Sequence, residues 1–434
     1  MLVVGIVVFA LGLLLSIAWH ELGHYTAARR FGIRVPQFMV GFGPTIWSRQ
    51  RGETEWGVKA IPLGGYIRMI GMIPPAPGQK VGRSRRSGPM QGMIDDIRRE
   101  NDADFRPGDE DRQFWTRKPW QRIIVMIAGP FMNLVLALVL FCIVLMGFGW
   151  PTAQPVVASV SECVVPASRL EQPGGGQCRP EDPRTPAALA GFQPGDRIVS
   201  YNGVAYTEWD VLQLAIRDSR GTADVVVDRG GQLVTLRPAL IENEVPDLDA
   251  PMGTAPTFVR ASFLGLTPIE PVVRQTPGQV LERGGEMIEG TVAAVARLPQ
   301  KVPALFGAVF GGEERDPYGP VSVVGVSVIG GKVLDAERPV AAEISTMLYL
   351  LAAVNLSLFV LNLLPILPLD GGHMLPALWE AGKKRIARWR GRPDPGPVDL
   401  AKLMPLAYGF ALVIMSYGAL VILADIVNPV DIGF

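Results

Sequence analysis

Residues 2–24 read LVVGIVVFALGLLLSIAWHELGH. The apolar part, residues 2–19, is about as long as a bilayer requires and contains no charged residue. It runs directly into His20, Glu21 and His24 rather than into a small-residue cleavage site, so we expect a membrane span and not a signal peptide. Ionisable side chains at the end of a span are costly and are typical of functional sites.

Three further apolar runs follow along the chain. They cover residues 123–150, 347–369 and 403–427, so the sequence predicts four transmembrane helices. Hydrophobic residues make up 48% of the chain, which suits a protein divided between lipid and water. The formal net charge of zero gives no global basic field, and we therefore expect no nucleic-acid partner.

The basic residues predict the orientation of the spans, because they accumulate in short cytoplasmic loops. They cluster after the first span, before the second and between the third and fourth: Arg29, Arg30, Arg34, Arg117, Lys118, Arg122, Lys383, Lys384, Arg385, Arg388, Arg390 and Arg392. In residues 151–343 acidic side chains outnumber basic ones. Both termini and this middle region are therefore predicted to lie outside the cytoplasm.

The middle region contains a small soluble module. Residues 191–203, GFQPGDRIVSYNG, predict a turn, a half-buried strand and a second turn. We expect Thr207 to cap a helix that runs to Asp218, followed by strands near residues 225–227 and 233–236. The pattern resembles a PDZ domain, which implies peptide binding by strand addition. Steric filtering of bulky proteins is the equally weighted alternative.

The three cysteines exclude a cysteine-rich zinc scaffold. Cys163 and Cys178 flank a Pro/Gly-rich loop, residues 166–186, in the part of the chain predicted to be extracytoplasmic, so we predict a disulfide between them. Cys142 lies in the second span and is expected to serve packing. After the module we expect an amphipathic helix over residues 279–301 and an apolar, Gly-rich approach to the third span over residues 319–331.

The run His20-Glu21-Leu22-Gly23-His24 has the H-E-x-x-H pattern. Side chains four residues apart share one face of a helix, so both imidazoles can bind one cation while Glu21 stays beside it. Zinc accepts imidazole ligands, and Glu21 could then take a proton from an activated water. The pentapeptide alone is only moderately specific. Its ionisable side chains are energetically costly in an apolar helix, however, which favours a functional site over a chance match.

A third ligand is available at the end of the third apolar run. Residues 362–373 read NLLPILPLDGGH. Asp370 is a carboxylate in apolar surroundings, and His373 is the alternative third ligand. Two prolines interrupt the helix here and two glycines follow the acid, so the backbone is expected to be irregular. Irregular backbone at membrane depth is tolerated only against protein or a wet cavity. The first and third spans both run toward the cytoplasm, so the two motifs are expected at the same depth.

Together these motifs make the chain resemble the site-2 proteases, the intramembrane zinc proteases, and in particular their bacterial PDZ-containing branch. The resemblance also includes the runs GFGP at residues 41–44 and IPLGGY at residues 61–66, and Gly129-Pro130 with Asn133. It covers essentially the whole chain. The cysteine-flanked insertion and the Arg-rich residues 83–117 depart from the family pattern, so the resemblance does not extend to the choice of substrate.

The resemblance implies a role for each site residue. His20, His24 and Asp370 would bind Zn²⁺, and Glu21 would be the general base. Asn362 would hydrogen-bond the substrate backbone, with a helix-packing amide as the alternative. Residues 40–69 resemble the membrane-associated β-hairpin of the family, in which Gly43, Gly64 and Gly65 would help to present an edge to an unwound substrate.

The predicted fold class is therefore a polytopic α-helical membrane protein with four transmembrane helices, a membrane-associated β-hairpin and an extracytoplasmic PDZ-like α+β domain. The expected segments are the first helix (1–26), the hairpin region and basic loop (27–118), the second helix (119–150), the PDZ-like domain (151–265), an extracytoplasmic amphipathic segment (266–343), the third helix (344–382), a cytoplasmic loop (383–402) and the fourth helix with the C-terminus (403–434).

The resemblance also implies partners and a location. The substrates would be single-span membrane proteins, such as anti-sigma factors or remnant signal peptides, already cut on their outer side by a site-1-type protease. The location would be a bacterial inner membrane. A pseudoprotease that only holds membrane helices is the alternative, and a transporter is weaker because four spans offer little room and no repeated half.

Overall fold

The computed structural model describes residues 2–74, 104–170, 175–248, 250, 257–335 and 339–430. Residues 83–103 of the Arg-rich stretch lie outside these ranges. The chain divides into two compact units, each with its own set of elements. The first, which we call the membrane unit, comprises Met1–Ile143 and Leu281–Phe434, and the second, which we call the middle unit, comprises Val144–Val280.

Helices and strands alternate irregularly along the chain. In chain order the elements are α1 (Leu2–Arg30), β1 (Gln37–Arg51), β2 (Thr54–Arg68), α2 (Pro119–Cys142), β3 (Trp150–Pro151), β4 (Gln154–Val160), α3 (Ala167–Leu170), α4 (Pro186–Ala190), β5 (Arg197–Tyr201), β6 (Val204–Ala205), α5 (Trp209–Asp218), β7 (Val225–Arg229), β8 (Gln232–Leu236), β9 (Ile241–Pro246), β10 (Phe258–Phe263), β11 (Leu266–Ile269), β12 (Val272–Val273), α6 (Pro277–Phe306), α7 (Val323–Asp335), α8 (Val340–Asn362), α9 (Asp370–Trp389) and α10 (Met404–Val427).

Among the described residues, four helices are long and apolar enough to cross a membrane: Val3–Arg30, Pro119–Phe148, Val340–Asn362 and Leu400–Val427. The predicted number of spans is therefore confirmed. The third apolar run continues to residue 369, and its helix ends at Asn362, before the two prolines that were expected to interrupt it. Pro365 and Pro368 explain this end, because proline lacks a backbone N–H and disfavours helical backbone in the residue before it.

Helix α1 packs against α2, α7 and α8 at the centre of the membrane unit. A Cβ atom on Gly23 would overlap the carbonyl oxygen of Ala128, so the backbones of α1 and α2 approach as closely as small residues allow. Fully buried Asn355 of α8 donates through Nδ2 to Oγ of Ser16 on α1, at 2.9 Å. The close approach at Gly23 thus joins α1 to α2, and the hydrogen bond from Asn355 joins α8 to α1.

Helix α9 is attached to α2 by a buried ion pair. Arg122 and Glu380 have side chains that are 5% and 2% exposed, and Nη2 of the arginine contacts Oε2 of the glutamate. Lys384 adds a second contact to Glu380 at 2.9 Å. The position of α9, which begins at Asp370, is therefore fixed relative to α2 by charged groups within the bundle.

The β1–β2 hairpin is anchored to the cytoplasmic end predicted for α1 by charged groups. The carboxylate of Glu53, in the turn, accepts hydrogen bonds from Arg112 at 2.7 Å and from Arg29 at 2.8 Å. These two guanidinium groups lower the pKa of Glu53 to about 2. Buried Arg34, which follows α1, pairs with Asp109 at 2.9 Å.

The middle unit contains an antiparallel sheet with the strand order β11-β4-β5-β7-β8, and β6 pairs with β5. Trp209, Leu212 and Ile216 of α5 pack in one core with Val225 and Val227 of β7. The strands expected near residues 225–227 and 233–236 are present as β7 and β8.

The helix of the middle unit begins later than its sequence pattern predicts. Helix α5 starts at Trp209 after Glu208, and no side chain caps it, so the expected Thr207 cap is wrong. The extended backbone at Glu208 delays the helix by one residue.

Other expectations for the region between the second and third spans agree with the structure more closely. The sulfur atoms of Cys163 and Cys178 lie at bonding distance, with Cα atoms 5.8 Å apart. The helix expected over residues 279–301 is longer, as α6, and the apolar approach at residues 319–331 is mostly helical, as α7.

Candidate metal centre

Helix α1 brings His20 and His24 to one face, as the four-residue spacing requires. Their Nε2 atoms lie 3.1 Å apart, and the two rings meet edge to face with centroids 4.8 Å apart. Glu21 lies between them in sequence and is only 8% exposed. The histidine pair is therefore preorganised by the helix itself.

Asp370, the first residue of α9, completes a cluster with these histidines. Its Oδ2 atom lies 3.3 Å from Nε2 of His20 and 3.3 Å from Nε2 of His24. Oδ2 has no hydrogen-bond partner among the described residues apart from this approach to the imidazoles. The helix start after Pro368 thus turns one carboxylate oxygen toward the two ring nitrogens.

These three atoms fit the demands of a zinc ion. Zinc bound at about 2.0–2.1 Å in a tetrahedral arrangement keeps its ligand atoms about 3.3–3.4 Å apart. The three separations in this cluster are 3.1, 3.3 and 3.3 Å. Two imidazoles with one carboxylate are also a donor set that catalytic zinc sites use, leaving one position open.

The outer nitrogen of each imidazole has a partner on α2. His24 Nδ1 lies 2.7 Å from the carbonyl oxygen of Val125, and His20 Nδ1 lies 3.1 Å from Nδ2 of Asn133. A carbonyl oxygen only accepts, so Nδ1 of His24 carries a proton, and in the neutral ring Nε2 then has a free lone pair. Metal-binding histidines typically hold such an outer hydrogen bond.

His373, the rival ligand, lies outside this cluster. Among the described residues, the group of His, Cys, Asp and Glu side chains whose ligand atoms come within 4.8 Å of one another contains His20, His24 and Asp370. His373 is half-buried one turn along α9, and its Nδ1 has no hydrogen-bond partner among these residues. The geometry therefore favours Asp370 as the third ligand.

The hairpin brings one of its predicted substrate-binding glycines to Glu21. A Cβ atom on Gly65 would lie 3.1 Å from Cγ of Glu21, so β2 passes directly beside the glutamate. Gly64, with φ of +102°, packs on the ring of Phe42, and Gly43, with φ of +83°, accepts a hydrogen bond from Lys59 at 3.2 Å. Gly43 and Gly64 thus shape the hairpin but do not contact the glutamate.

Asn362 is the last residue of α8 and is half-buried. Its side chain makes no hydrogen bond within the described part of the chain. The structure therefore leaves its amide free for another partner, and it does not bring Asn362 into the cluster of ligand atoms.

Comparison with known families matches residues 8–392 to a family described as peptidase family M50. The chain belongs to this family. The M50 family is the site-2 protease family, so the resemblance drawn from the motifs is confirmed. Its members are embedded in membranes, in agreement with the four candidate spans.

Several relatives in the M50 family match most or all of the chain. Zinc metalloprotease Rip1 of Mycobacterium tuberculosis is 35% identical over 438 residues, which cover 99% of each chain. Metalloprotease MmpA of Caulobacter vibrioides is 31% identical over 389 residues, covering 85% of this chain and 84% of its own. A putative zinc metalloprotease of Brucella suis is 29% identical over 381 residues, covering 86% of this chain and 85% of its own.

Sequence reasoning missed several residues that build this part of the M50 fold. It noted Gly129 and Asn133 as parts of a motif, but it assigned them no contact with the histidines. It also missed the Asn355–Ser16 bond inside the bundle, although a buried amide in an apolar span is itself a signal of a required polar contact. The contact of His24 with the backbone carbonyl of Val125 could not be predicted from the sequence, because every residue has a backbone carbonyl.

Proposed function

We propose that this chain is an intramembrane zinc metalloprotease in which His20, His24 and Asp370 bind the metal and Glu21 is the general base. The observation that carries the proposal is the approach of three ligand atoms to within 3.1–3.3 Å of one another beside a buried glutamate. Membership of the M50 family and the names of the relatives support the enzyme class, a zinc metalloprotease, and Zn²⁺ as its expected cofactor.

The chain supplies the base and the orientation for peptide hydrolysis. Glu21 is held on α1 one residue after a ligand, where its carboxylate can accept a proton from the attacking water and pass it to the leaving amine. Because Glu21 is 8% exposed, few bulk water molecules compete at this carboxylate. When bound, zinc acts as a Lewis acid that makes water more acidic and polarises a peptide carbonyl.

Substrate alignment is the role that we propose for the hairpin. A helical substrate hides its peptide bonds, so it must become extended before hydrolysis. Strand β2 runs past Glu21 at Gly65, where the absence of a side chain lets the strand pack against Ile17 and Glu21 of α1. An extended substrate would add to the edge of this hairpin, close to Glu21. We assign Gly43, Gly64 and Gly65 to shaping this edge, and Asn362 to hydrogen bonding with the substrate backbone.

The substrate class follows from the location of the site at the end of a span. We propose single-span membrane proteins, such as anti-sigma factors or remnant signal peptides, that a site-1-type protease has first cut on the outer side. The middle unit, with its predicted Cys163–Cys178 disulfide, would be an extracytoplasmic PDZ-like domain that binds peptide or filters by size. Both termini would face the same side of a bacterial inner membrane as this domain.

A Glu21→Gln variant tests the proposal. We expect full zinc content by elemental analysis and a fall of about 10²–10⁴-fold in cleavage of a single-span model substrate in proteoliposomes. Glu286→Gln, at an exposed glutamate of α6, is the matched control and should cleave at the unaltered rate. A Glu21→Gln variant that cuts as fast as the parent would show that the base is misassigned.

The same assay separates the pseudoprotease from the protease. A pseudoprotease would bind the substrate and hold zinc while releasing no product, even as the unaltered chain. Buried Glu21 beside a complete set of ligand atoms favours the protease, since a holding protein has no need of a base.

A further inference from the structure

The two zinc-facing histidines must be in the same tautomer to act as ligands. In each ring Nε2 faces the cluster, and Nδ1 faces α2. A neutral imidazole has one protonated nitrogen and one with a free lone pair. Nε2 can bind a metal only when the proton is on Nδ1, and Nδ1–H then requires a hydrogen-bond acceptor.

For His24 the acceptor is the carbonyl oxygen of Val125, 2.7 Å away. For His20 the only polar group at hydrogen-bond distance from Nδ1 among the described residues is the amide of Asn133, whose Nδ2 lies 3.1 Å away. An NH₂ group in that position would donate into Nδ1 and move the proton of the ring to Nε2. That tautomer has no lone pair for a metal.

A half turn of the Asn133 amide resolves this conflict. The amide nitrogen and oxygen are nearly the same size, so the rotation exchanges them without moving any neighbour. Asn133 is fully buried, and its Oδ1 has no hydrogen-bond partner among the described residues. After the rotation Oδ1 accepts from Nδ1–H of His20, and Nε2 is left free.

We propose that Asn133 is a positioning residue: its side-chain oxygen accepts the Nδ1–H of His20 and holds that ligand in its metal-binding tautomer. The proposal rests on the proposed zinc centre. It gives the two histidines equivalent support from α2, one from a backbone carbonyl and one from a side chain. The side-chain acceptor is the one that mutation can change.

The acceptor role makes a distinctive prediction for substitutions at Asn133. Asn133→Asp keeps an oxygen in the same place, whereas Asn133→Ala removes it. Full-length purified variants are titrated with a zinc chelator, and the apparent zinc affinity is measured. We expect Asn133→Ala to bind zinc 10–100-fold more weakly, as is typical when such outer partners are lost, and Asn133→Asp to stay within about threefold of the parent.

Asn355 provides the matched control, because it is a second fully buried amide of the same bundle. It acts as a donor, to Ser16 Oγ and to the Leu351 carbonyl at 2.9 and 2.8 Å. Asn355→Asp should therefore lower the thermal unfolding temperature and leave zinc affinity unchanged. The same Asn-to-Asp change is thus tolerated at residue 133 and harmful to folding at residue 355.

Three outcomes would overturn the proposal. The first is an Asn133→Asp variant as weak in zinc binding as Asn133→Ala, and the second is an Asn133→Ala variant with parental affinity. In the third, Asn133→Ala does not fold, and Asn133→Asp folds but does not bind zinc. His20→Ala, measured in parallel, keeps the two proposals apart: if it retains zinc, the zinc centre itself is misassigned.

Discussion

Gly129 of α2 packs against the imidazole of His24 so closely that a Cβ atom at this position would overlap three ring atoms, Nε2 among them. The absence of a side chain at residue 129 is thus required by the position of the His24 ring and not only by helix packing. The neighbouring Gly23 on α1 makes the reciprocal close approach to the α2 backbone.

Gly129→Ala should displace His24 and weaken zinc binding. Overpacking a close contact costs about 1–3 kcal/mol, so we expect a loss of roughly 10–100-fold in zinc affinity by chelator competition. Gly418→Ala, in α10 with open space around it, is the control and should bind zinc normally. A Gly129→Ala protein with parental affinity would mean that His24 is not held against α2.

Zinc content distinguishes the two candidates for the third ligand. Asp370→Ala should lose most of its bound zinc after dialysis, because Oδ2 faces both histidines at 3.3 Å. His373→Ala should retain it, since that side chain lies outside the cluster. Loss in His373→Ala alone would reverse the assignment.

Glu380→Gln should destabilise the membrane unit, because it breaks a buried pair and leaves Arg122 without a charge partner. Removing one member of such a pair costs about 3–5 kcal/mol. We expect a lower unfolding temperature in detergent and weaker zinc retention, since α9 carries Asp370. Arg385→Ala, at an exposed residue of the same helix, should leave both quantities within measurement error. Equal unfolding temperatures for the parent and Glu380→Gln would contradict this role.

The stability of the middle unit should depend on pH through Asp196. Two hydrogen bonds from Arg229, at 2.7 and 2.8 Å, hold the pKa of this buried carboxylate below its ordinary value of 3.8, although burial opposes the shift. The stabilisation is therefore complete above about pH 4 and is lost as the pH falls through the lower, folded-state pKa.

Asp196→Asn removes this effect, and charge-assisted hydrogen bonds contribute about 1.5–3 kcal/mol. Amide exchange in β5 and β7 should be faster in Asp196→Asn than in the parent at pH 7. The difference should shrink once the pH falls below the folded-state pKa. Asp224→Asn, whose carboxylate pairs with Arg237 at the surface, should match the parent at both pH values. A difference that persists in acid would show that the carboxylate charge is not its source.

The sequence was sufficient for features that depend on local periodicity. Four spans follow from apolar length, and the His20–His24 pair follows from the rise of one helical turn. The interruption of the third apolar run also followed from the sequence, because Pro365 and Pro368 stop a helix although hydropathy continues past Asn362. The start of α5 was misplaced because Thr207 satisfies a capping pattern that the backbone at Glu208 does not use.

Contacts between distant segments were harder to anticipate. The pairing of Arg122 with Glu380 and of Asn355 with Ser16 depends on which helix faces are neighbours, and one sequence gives no such information. Asp370 was nevertheless a candidate ligand from the sequence, because it is a carboxylate in an apolar setting, and the resemblance to the site-2 proteases implied its role. The contacts of α2 with the outer nitrogen of each imidazole could be identified only from the three-dimensional structure.

The donors of the proposed metal centre come from distant parts of the polypeptide: two from α1 and one from the first turn of α9. An ion held by all three closes a loop that contains most of the chain, including the whole middle unit. Its binding energy would therefore also contribute to folding, through the restriction of a very long loop. Loss of the ion would remove the link between Asp370 and α1, while α9 would keep its packing and its ion pair with α2.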